Sequence, residues 1–449
     1  MNQRLIITLL VLLFLAGGTY LAIRYAQGYR VNLSNQVVEG TGLLVANSHP
    51  QGASVLINDE LKTATDDTLH LTPGNYKVRL EKDGYKAWEK QLQIKSELVT
   101  QTNARLFPAA PSFSALTYNG ASDITPSPDG HKLAFKVATG SAETKYGIWI
   151  LSLDENPLRF SSNAIQIAID EPSIAFSKAQ LFWSPNSSEI LAYFNENRAY
   201  LLNASNPNKT QALVNVAFQL PSLVQDWQEQ LGLEQQKRLA KLPIPMQEIA
   251  TASATLLYFS PSEEKLLYTA TASATIPEKL IPPLPAINAQ TQERNLKPGS
   301  IYVYDSKEDT NFLVVEDAFS PEDLDEFIQK FTPPPLKTEV TPGSPEPVIE
   351  TTPLNQPVLE VLQNLQAQYS PVYSHHRIQW FPDSYHLIIT EPDRVCIVEY
   401  DGNNKVAMFT GYFLEQFTYP WPNGQKLVLL TPLSPSSEVL PNLYALDLE

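Results

Sequence analysis

A proline-centred frame is written five times between residues 124 and 430: an apolar run, a proline, four mostly polar residues and a new apolar run. The clearest copy is Ile378-Gln379-Trp380-Phe381-Pro382-Asp383-Ser384-Tyr385-His386-Leu387. Its relatives run from Ile124 to Phe135 around Pro128, Leu181 to Phe194 around Pro185, Leu257 to Tyr268 around Pro261 and Phe417 to Leu430 around Pro422. An apolar residue stands five positions after each proline: Leu133, Ile190, Leu266, Leu387 and Leu427. The frame predicts strand, tight turn, strand. Proline presets φ, and Asp129-Gly130 or Asn423-Gly424 supplies the positive φ that a hairpin turn wants.

A third strand of shared shape follows each hairpin: Ile148–Asp154, Ala199–Asn203, Ile301–Asp305, Val395–Asp401 and Leu443–Asp447. A fourth is expected at Leu158–Ser161, Ala212–Ala217, Phe312–Val315 and Val406–Thr410. Three or four strands per repeat predict propeller blades. The last repeat lacks a fourth strand, and the strand Phe113–Tyr118, ahead of the first repeat, lacks a partner. A ring closes if that strand completes the last blade and so removes the open edge. The expectation is a ring of five blades, or six if Ile165–Phe176 helps build one; a solenoid is the alternative. The copies resemble WD-like and TolB-type repeats, whose pattern runs Ser-Pro-Asp-Gly, Lys-Leu and then Ile-Tyr-x-x-Asp. Ser127–Leu133 carries that resemblance best, while later copies lose the Gly or the Asp.

Ahead of the repeats, residues 40–107 alternate in a way that predicts a small β domain. Tyr76, Val78 and Leu80 stand against Lys77, Arg79 and Glu81, so one face packs and the other is wet. Three spaced motifs, Pro50-Gln51-Gly52-Ala53-Ser54-Val55-Leu56-Ile57-Asn58, Leu71-Thr72-Pro73-Gly74-Asn75-Tyr76-Lys77-Val78 and Asp83-Gly84-Tyr85, resemble the PEGA domain. Asp59-Glu60 departs from the family, which often has glycine after the Asn58 position. The resemblance implies a compact β-sandwich of bacterial and archaeal surface proteins, often beside a membrane anchor, and implies no catalysis. Tyr76, Tyr85 and Trp88 are candidate glycan contacts, with core or inter-domain packing as the ordinary alternative.

Residues 1–3 form a short tail before a candidate anchor at 4–24. The uncharged run from Leu5 to Ile23 would span roughly 28 Å as a helix, close to a bilayer's hydrocarbon thickness. Ala16-Gly17-Gly18 lies inside the run, which argues against a cleaved signal peptide. The reading is a single-pass cell-membrane protein, held by residues 5–23, with its bulk outside the cytoplasm. Residues 25–39 read as a polar tether.

Within the propeller region, 108–449, insertions are expected near 218–250, 271–298 and 317–372. Leu220, Leu223, Val224, Trp227 and Leu231 fall at helical spacing, predicting an amphipathic helix or helical hairpin over 221–242. Leu223, Trp227 and Leu231 are the candidate partner-binding residues. Ser320-Pro321-Glu322-Asp323 reads as a capped helix start, and Val358, Val361, Leu362 and Leu365 as a further helix. The Pro/Thr/Glu tract at 332–353 reads as a mobile loop.

No catalytic constellation appears in the sequence. There is no Gly-x-Ser-x-Gly elbow and no phosphate-cradling glycine loop. His375, His376 and His386 lack metal-pair spacing and read as surface histidines; Asp401-Gly402-Asn403-Asn404 reads as a turn and not a calcium loop. The repeat acids Asp129, Asp154, Asp305, Asp383 and Asp401 fall at turns and strand ends. Cys396 is the only cysteine, so no intramolecular disulfide forms, and neither cofactor nor metal is expected. A net charge of −16 disfavours a nucleic-acid partner. The expectation is an all-β, membrane-anchored, non-catalytic binding or scaffold protein of the cell envelope, with cell-wall glycan or an envelope protein as partner. The alternatives are an extracytoplasmic carbohydrate-active hydrolase with carboxylates at the propeller channel, and a subunit of an envelope protein-assembly complex.

Overall fold

The computed structural model describes residues 3–26, 29–32, 37–139, 142–154, 164–282, 284, 288, 290–320, 322–324, 357–370, 378–414, 417–432 and 440–449. Strand dominates, with few helices. The chain divides into two compact units: Met1–Ala110 with Pro282–Thr291, and Pro111–Ile281 with Gln292–Glu449.

The first unit begins with helix α1 (Gln3–Ala26), on which Leu9, Leu12 and Phe14 are exposed. Among the described residues no helix is long and apolar enough to cross a membrane, so the expected span at residues 5–23 gains no support from the fold. The stretch read as a tether pairs instead as a hairpin, Tyr29–Asn32 against Val37–Gly40. Backbone pairing forms it, without the side-chain periodicity that sequence reading depends on. Beyond it a four-stranded sheet orders Glu60–Ala64, Ser54–Ile57, Gly74–Glu81 and Trp88–Ile94, and a three-stranded sheet orders Val99–Gln101, Gly42–Ala46 and Asp67–Leu71. Trp88–Ile94 alternates buried and exposed at every position, so Trp88, Leu92 and Ile94 enter a core with Leu44, Val55, Val78 and Leu80. Within the same unit, the Gln290 amide of the proline-rich insertion donates to the Gln91 carbonyl at 2.7 Å.

The second unit is built from the repeats. Its sheets are antiparallel meanders in chain order, which we call blades one to five. Blade one contains Ser122–Pro126, Lys132–Val137, Gly147–Ser152 and Ala164–Ile169. Blade two has three strands: Gln180–Trp183, Glu189–Asn195 and Arg198–Asn203. Blade three has Ala254–Phe259, Lys265–Ala270, Ile301–Asp305 and Thr310–Val315; blade four has Ile378–Trp380, His386–Glu391, Arg394–Glu399 and Val406–Thr410. Blade five has Thr418–Pro420, Lys426–Thr431 and Asn442–Asp447, and Phe113–Ala115 from the other end of the unit pairs antiparallel with Asn442–Asp447 as its outermost strand. That pairing closes the ring and removes an edge that would otherwise template aggregation.

Two fourth strands differ from expectation. In blade one the strand is Ala164–Ile169, and Leu158–Ser161 lies outside the described residues. In blade two Ala212–Ala217 forms no strand. Asn215 bridges Tyr200, its Oδ1 accepts the Ala199 N–H at 3.1 Å, and Asn208 Oδ1 accepts the Asn203 N–H at 2.9 Å. Asparagine side chains thus take up edge groups that a ladder would otherwise satisfy.

Central blade strands such as Lys132–Val137, Lys265–Ala270, His386–Glu391 and Lys426–Thr431 are buried on both faces, because blades pack on one another or on helices. Leu133 and Phe135 face blade five while Ala134 faces blade two; Leu181 and Trp183 face blade one while Phe182 faces away. Blades two and three do not pack directly. Their facing surfaces are covered by helices α2 (Leu220–Leu239), α3 (Ile244–Ala252) and α4 (Val358–Tyr369). Leu220, Val224 and Trp227 of α2, with Val361, Leu362 and Leu365 of α4, cover Phe182, Leu191 and Tyr193 of blade two. Met246 and Ile249 of α3 cover Tyr268 and Tyr302 of blade three. Two hydrogen bonds pin α4 in the gap: Gln366 Nε2 to the Leu181 carbonyl at 2.7 Å, and Tyr258 Oη to the Ala367 carbonyl at 2.8 Å. Helices α2, α3 and α4 are thus structural members of the second unit. At Ser320 the capping bond forms, with the Asp323 N–H donating to Ser320 Oγ at 3.1 Å. Leu324 ends the described part of that helix, and the tract at 332–353 lies outside the described residues.

Candidate binding cavity of the ring

The five proline turns share one backbone geometry. The residue two after each proline donates its N–H to the carbonyl of the residue before it: Gly130 to Ser127, Ser187 to Ser184, Glu263 to Ser260, Ser384 to Phe381 and Gly424 to Trp421, at 2.8–3.2 Å. All five donors are left-handed, with φ of 77°, 58°, 59°, 62° and 72°. Glycine fills that position at two turns without steric penalty. Serine at two others does something glycine cannot. Ser187 Oγ accepts the Asp129 N–H at 3.0 Å, and Ser384 Oγ accepts the Ser262 N–H at 2.9 Å, so each stitches its turn to that of the preceding blade. Further bonds tie the first strands together: Trp183 Nε1 to the Thr125 carbonyl, and Trp380 Nε1 to the Tyr258 carbonyl.

Because the first strand of each blade is innermost, the turns converge around a cavity of about 570 Å³. Asp129, Ser187, Glu263, Gln379 and Tyr419 reach it from blades one to five respectively. One wall is α2, through Leu231, Glu234, Gln235, Arg238 and Leu239. That spacing is one helical stripe. The first half of α2 therefore packs on blade two while its second half faces the cavity, and Tyr369 at the end of α4 completes the wall.

Three carboxylates line the cavity: Asp129, Glu234 and Glu263. Its only lining cation among the described residues is Arg238, whose Nε sits 3.0 Å from Glu263 Oε1; Lys241 holds Glu263 Oε2 at 2.5 Å. Those two cations, Lys241 foremost, hold the Glu263 carboxyl below the usual range. Among the described residues Asp129 and Glu234 are in no ion pair. Burial, with the Asp129 charge nearby, pushes the Tyr419 phenol up, and burial with Glu234 does the same at Tyr369.

The residues singled out from sequence fall elsewhere. Trp88 is 2% exposed inside the small core, which removes it from any glycan surface. Tyr76 and Tyr85 are half-buried against that core; Tyr76 Oη bonds to Thr72 and Tyr85 bridges Pro108. The structure therefore does not gather the three rings into one exposed platform. Trp227 and Leu231 are buried against blade two and α4, and Leu223 packs beside them, because the apolar stripe of α2 covers a blade face. Their spacing announced burial; only the tertiary structure says that the cover is internal. Among the repeat acids, Asp154 pairs with His131 at 2.6 Å and Asp305 with Lys265 at 3.2 Å, while Asp401 Oδ1 accepts the Asn403 N–H of its turn. His386, expected at the surface, is 3% exposed and bound to Asp383 at 2.8 Å. His375 and His376 lie outside the described residues. Among the described residues no group of His, Cys, Asp and Glu could hold a metal ion. Sequence reading missed Gln379, Tyr419, Glu234 and Tyr369. The available signal was position, since hairpin ends and first strands of a propeller line its axis.

No curated protein matches the chain. Among solved structures it is similar to TolB from Acinetobacter baumannii, at 13% identity over 83% of this chain and 60% of that one, with a TM-score of 0.21. It is similar to a TolB from Agrobacterium tumefaciens at 11% identity over 76% and 73%, with a TM-score of 0.20. An oligogalacturonate lyase in complex with manganese is similar at 10% identity over 91% of each chain, again with a TM-score of 0.20. The chain spans less than two thirds of the Acinetobacter protein, and at such scores the propeller rests on strand pairing alone. The small unit is the part with a family: residues 41–109 match the PEGA domain.

Proposed function

We propose that this chain is a non-catalytic binding protein of the cell envelope whose ligand site is the cavity of the ring. The observation that carries the reading is the cavity itself: about 570 Å³, formed where five turns and α2 meet, in the size range of ligand sites. The PEGA match supports an envelope setting, with the small unit as spacer or wall-contact module. In this reading the N-terminal segment holds the protein at the membrane and the ring lies outside the cytoplasm. Resistance of the full chain to alkaline extraction from membranes tests that placement.

Hydrolysis is the less favoured reading. The lining carboxylates among the described residues are Asp129 and Glu263 from blades and Glu234 from a helix, and Glu263 is occupied by two cations. The deciding experiment compares the purified full chain with Gln235→Trp, which fills the cavity, for retention of cell-wall glycan fragments and envelope peptides. Retention lost in Gln235→Trp supports the reading. Equal retention by both places the function outside the cavity, and steady release of reducing ends replaces binding by catalysis.

A further inference from the structure

The cavity places a buried amide acceptor beside carboxylates that are in no ion pair among the described residues. Gln379 is 7% exposed, and its Nε2 donates to the Thr418 carbonyl at 2.9 Å and to Thr418 Oγ1 at 3.2 Å. Its Oε1 meets no donor among the described residues. Among the described residues Gln379 Oε1 is not one of the sealed side-chain atoms that lack a hydrogen bond, so it opens onto space. Since the side chain lines the cavity, that space is the cavity. A buried amide with its donor satisfied and its acceptor aimed into a void is a site waiting for a donor.

The neighbouring groups agree. Asp129 Oδ1 accepts from Ser127 Oγ and the His131 N–H, while Oδ2 meets no donor among the described residues. Neither Glu234 oxygen is hydrogen-bonded or ion-paired among the described residues. Tyr419 Oη stands close enough to the Asp129 turn that a Cβ on Gly130 would lie 3.3 Å away. On the donor side, Arg238 is committed to Glu263. An anion would meet the Asp129 and Glu234 carboxylates, which no cation neutralises among the described residues.

We propose that the ring cavity binds an organic cation, a ligand bearing a primary ammonium or guanidinium group, held by Asp129, Glu234 and the Gln379 carbonyl oxygen. The inference rests on the binding reading above and adds the ligand's chemical class. Charge-assisted hydrogen bonds to two carboxylates supply the affinity, and the amide oxygen fixes the direction of approach.

The test is calorimetric titration of the full-length protein at low salt with spermidine, a free polyamine, and with arginine amide, a stand-in for a basic peptide side chain. N-acetylglucosamine and galacturonate serve as neutral and anionic probes. The expected result is single-site binding of at least one cation, weakened about tenfold or more in Asp129→Asn/Glu234→Gln and within about twofold of wild type in Glu316→Gln, which lies outside the cavity. Both cavity positions are exposed and the replacements isosteric, and an unchanged melting temperature verifies the fold. The stronger of the two cations says which source the site suits. Multi-site binding unaffected by the double variant is diffuse attraction to an acidic chain and overturns the proposal. Binding of the neutral or anionic probe alone, lost in Gln235→Trp, overturns the cation while leaving the cavity as a binding site. Binding of none of the probes overturns the cation. Whether the binding reading falls with it is decided by the glycan and peptide retention of wild type against Gln235→Trp.

Discussion

Lys265 and Asp305 form an ion pair between adjacent strands of blade three that is shut away from water, each side chain 3% exposed with Nζ 3.2 Å from Oδ2. The ammonium also lies 4.6 Å from the Tyr385 ring centroid and 4.9 Å from that of Tyr400, both in blade four. One cation therefore joins two blades. Lys265→Met keeps an unbranched chain against the two rings and removes the charge. Asp305 keeps the Lys307 and Glu308 N–H donors on Oδ1 at 2.9 and 3.0 Å, but Oδ2 loses its cation. At an effective dielectric constant of 20 the pair attracts by about 5 kcal/mol, and orphaning one partner of a buried pair costs about 3–5 kcal/mol. At about 2 °C per kcal/mol for a unit of this size, the ring should melt about 6–10 °C lower. Differential scanning calorimetry of the full chain at neutral pH measures this. Lys265→Met/Asp305→Asn removes both charges while leaving an acceptor for the two amides, and should recover at least half of the loss. A shift below about 2 °C in the single variant, or a double variant as unstable as the single, would refute the reasoning.

Ser187→Ala should destabilise the ring by about 1–3 kcal/mol in urea denaturation, because the Asp129 N–H loses its acceptor at a left-handed position; Ser187→Gly, which relieves φ, should lose less. Trp227→Ala should cost about 3–5 kcal/mol by opening a void between α2 and blade two. A partner-binding tryptophan would instead leave the melt unchanged. Glu263 has its carboxyl pulled below the ordinary 4.5 by Lys241 and Arg238. Its stabilising contribution is thus present above about pH 4.5 and lost as the pH falls through the lower folded value. Acid titrations of stability should show Glu263→Gln with a shallower loss than wild type below pH 4.5, a modest effect since the side chain is 34% exposed.

Local chemistry was enough to find the blades. A proline, a small polar pair and an apolar residue five positions on specify a hairpin through φ preference and alternation, whatever surrounds them. Even where Gly is lost, at Ser187, Glu263 and Ser384, the turn is kept, because proline and the i to i+3 bond suffice to hold it. The candidate site was barely legible. Asp129 was visible only as a turn former, and Gln379 only as a polar residue in an apolar run. Their meeting depends on ring closure between segments hundreds of residues apart.

Local pattern was enough for the proline hairpins, the helical spacing of Leu220–Leu231 and the PEGA-like motifs of residues 41–109. Only the tertiary structure decided which partner covers each apolar face. Trp88 went into the small core and Trp227 against blade two, while three helices covered blades two and three. The physical reason is range. Backbone sterics act within a few residues and leave a local trace, whereas burial is settled by whatever surface arrives from far along the chain. A periodic pattern can announce that a face will be covered, but not by what.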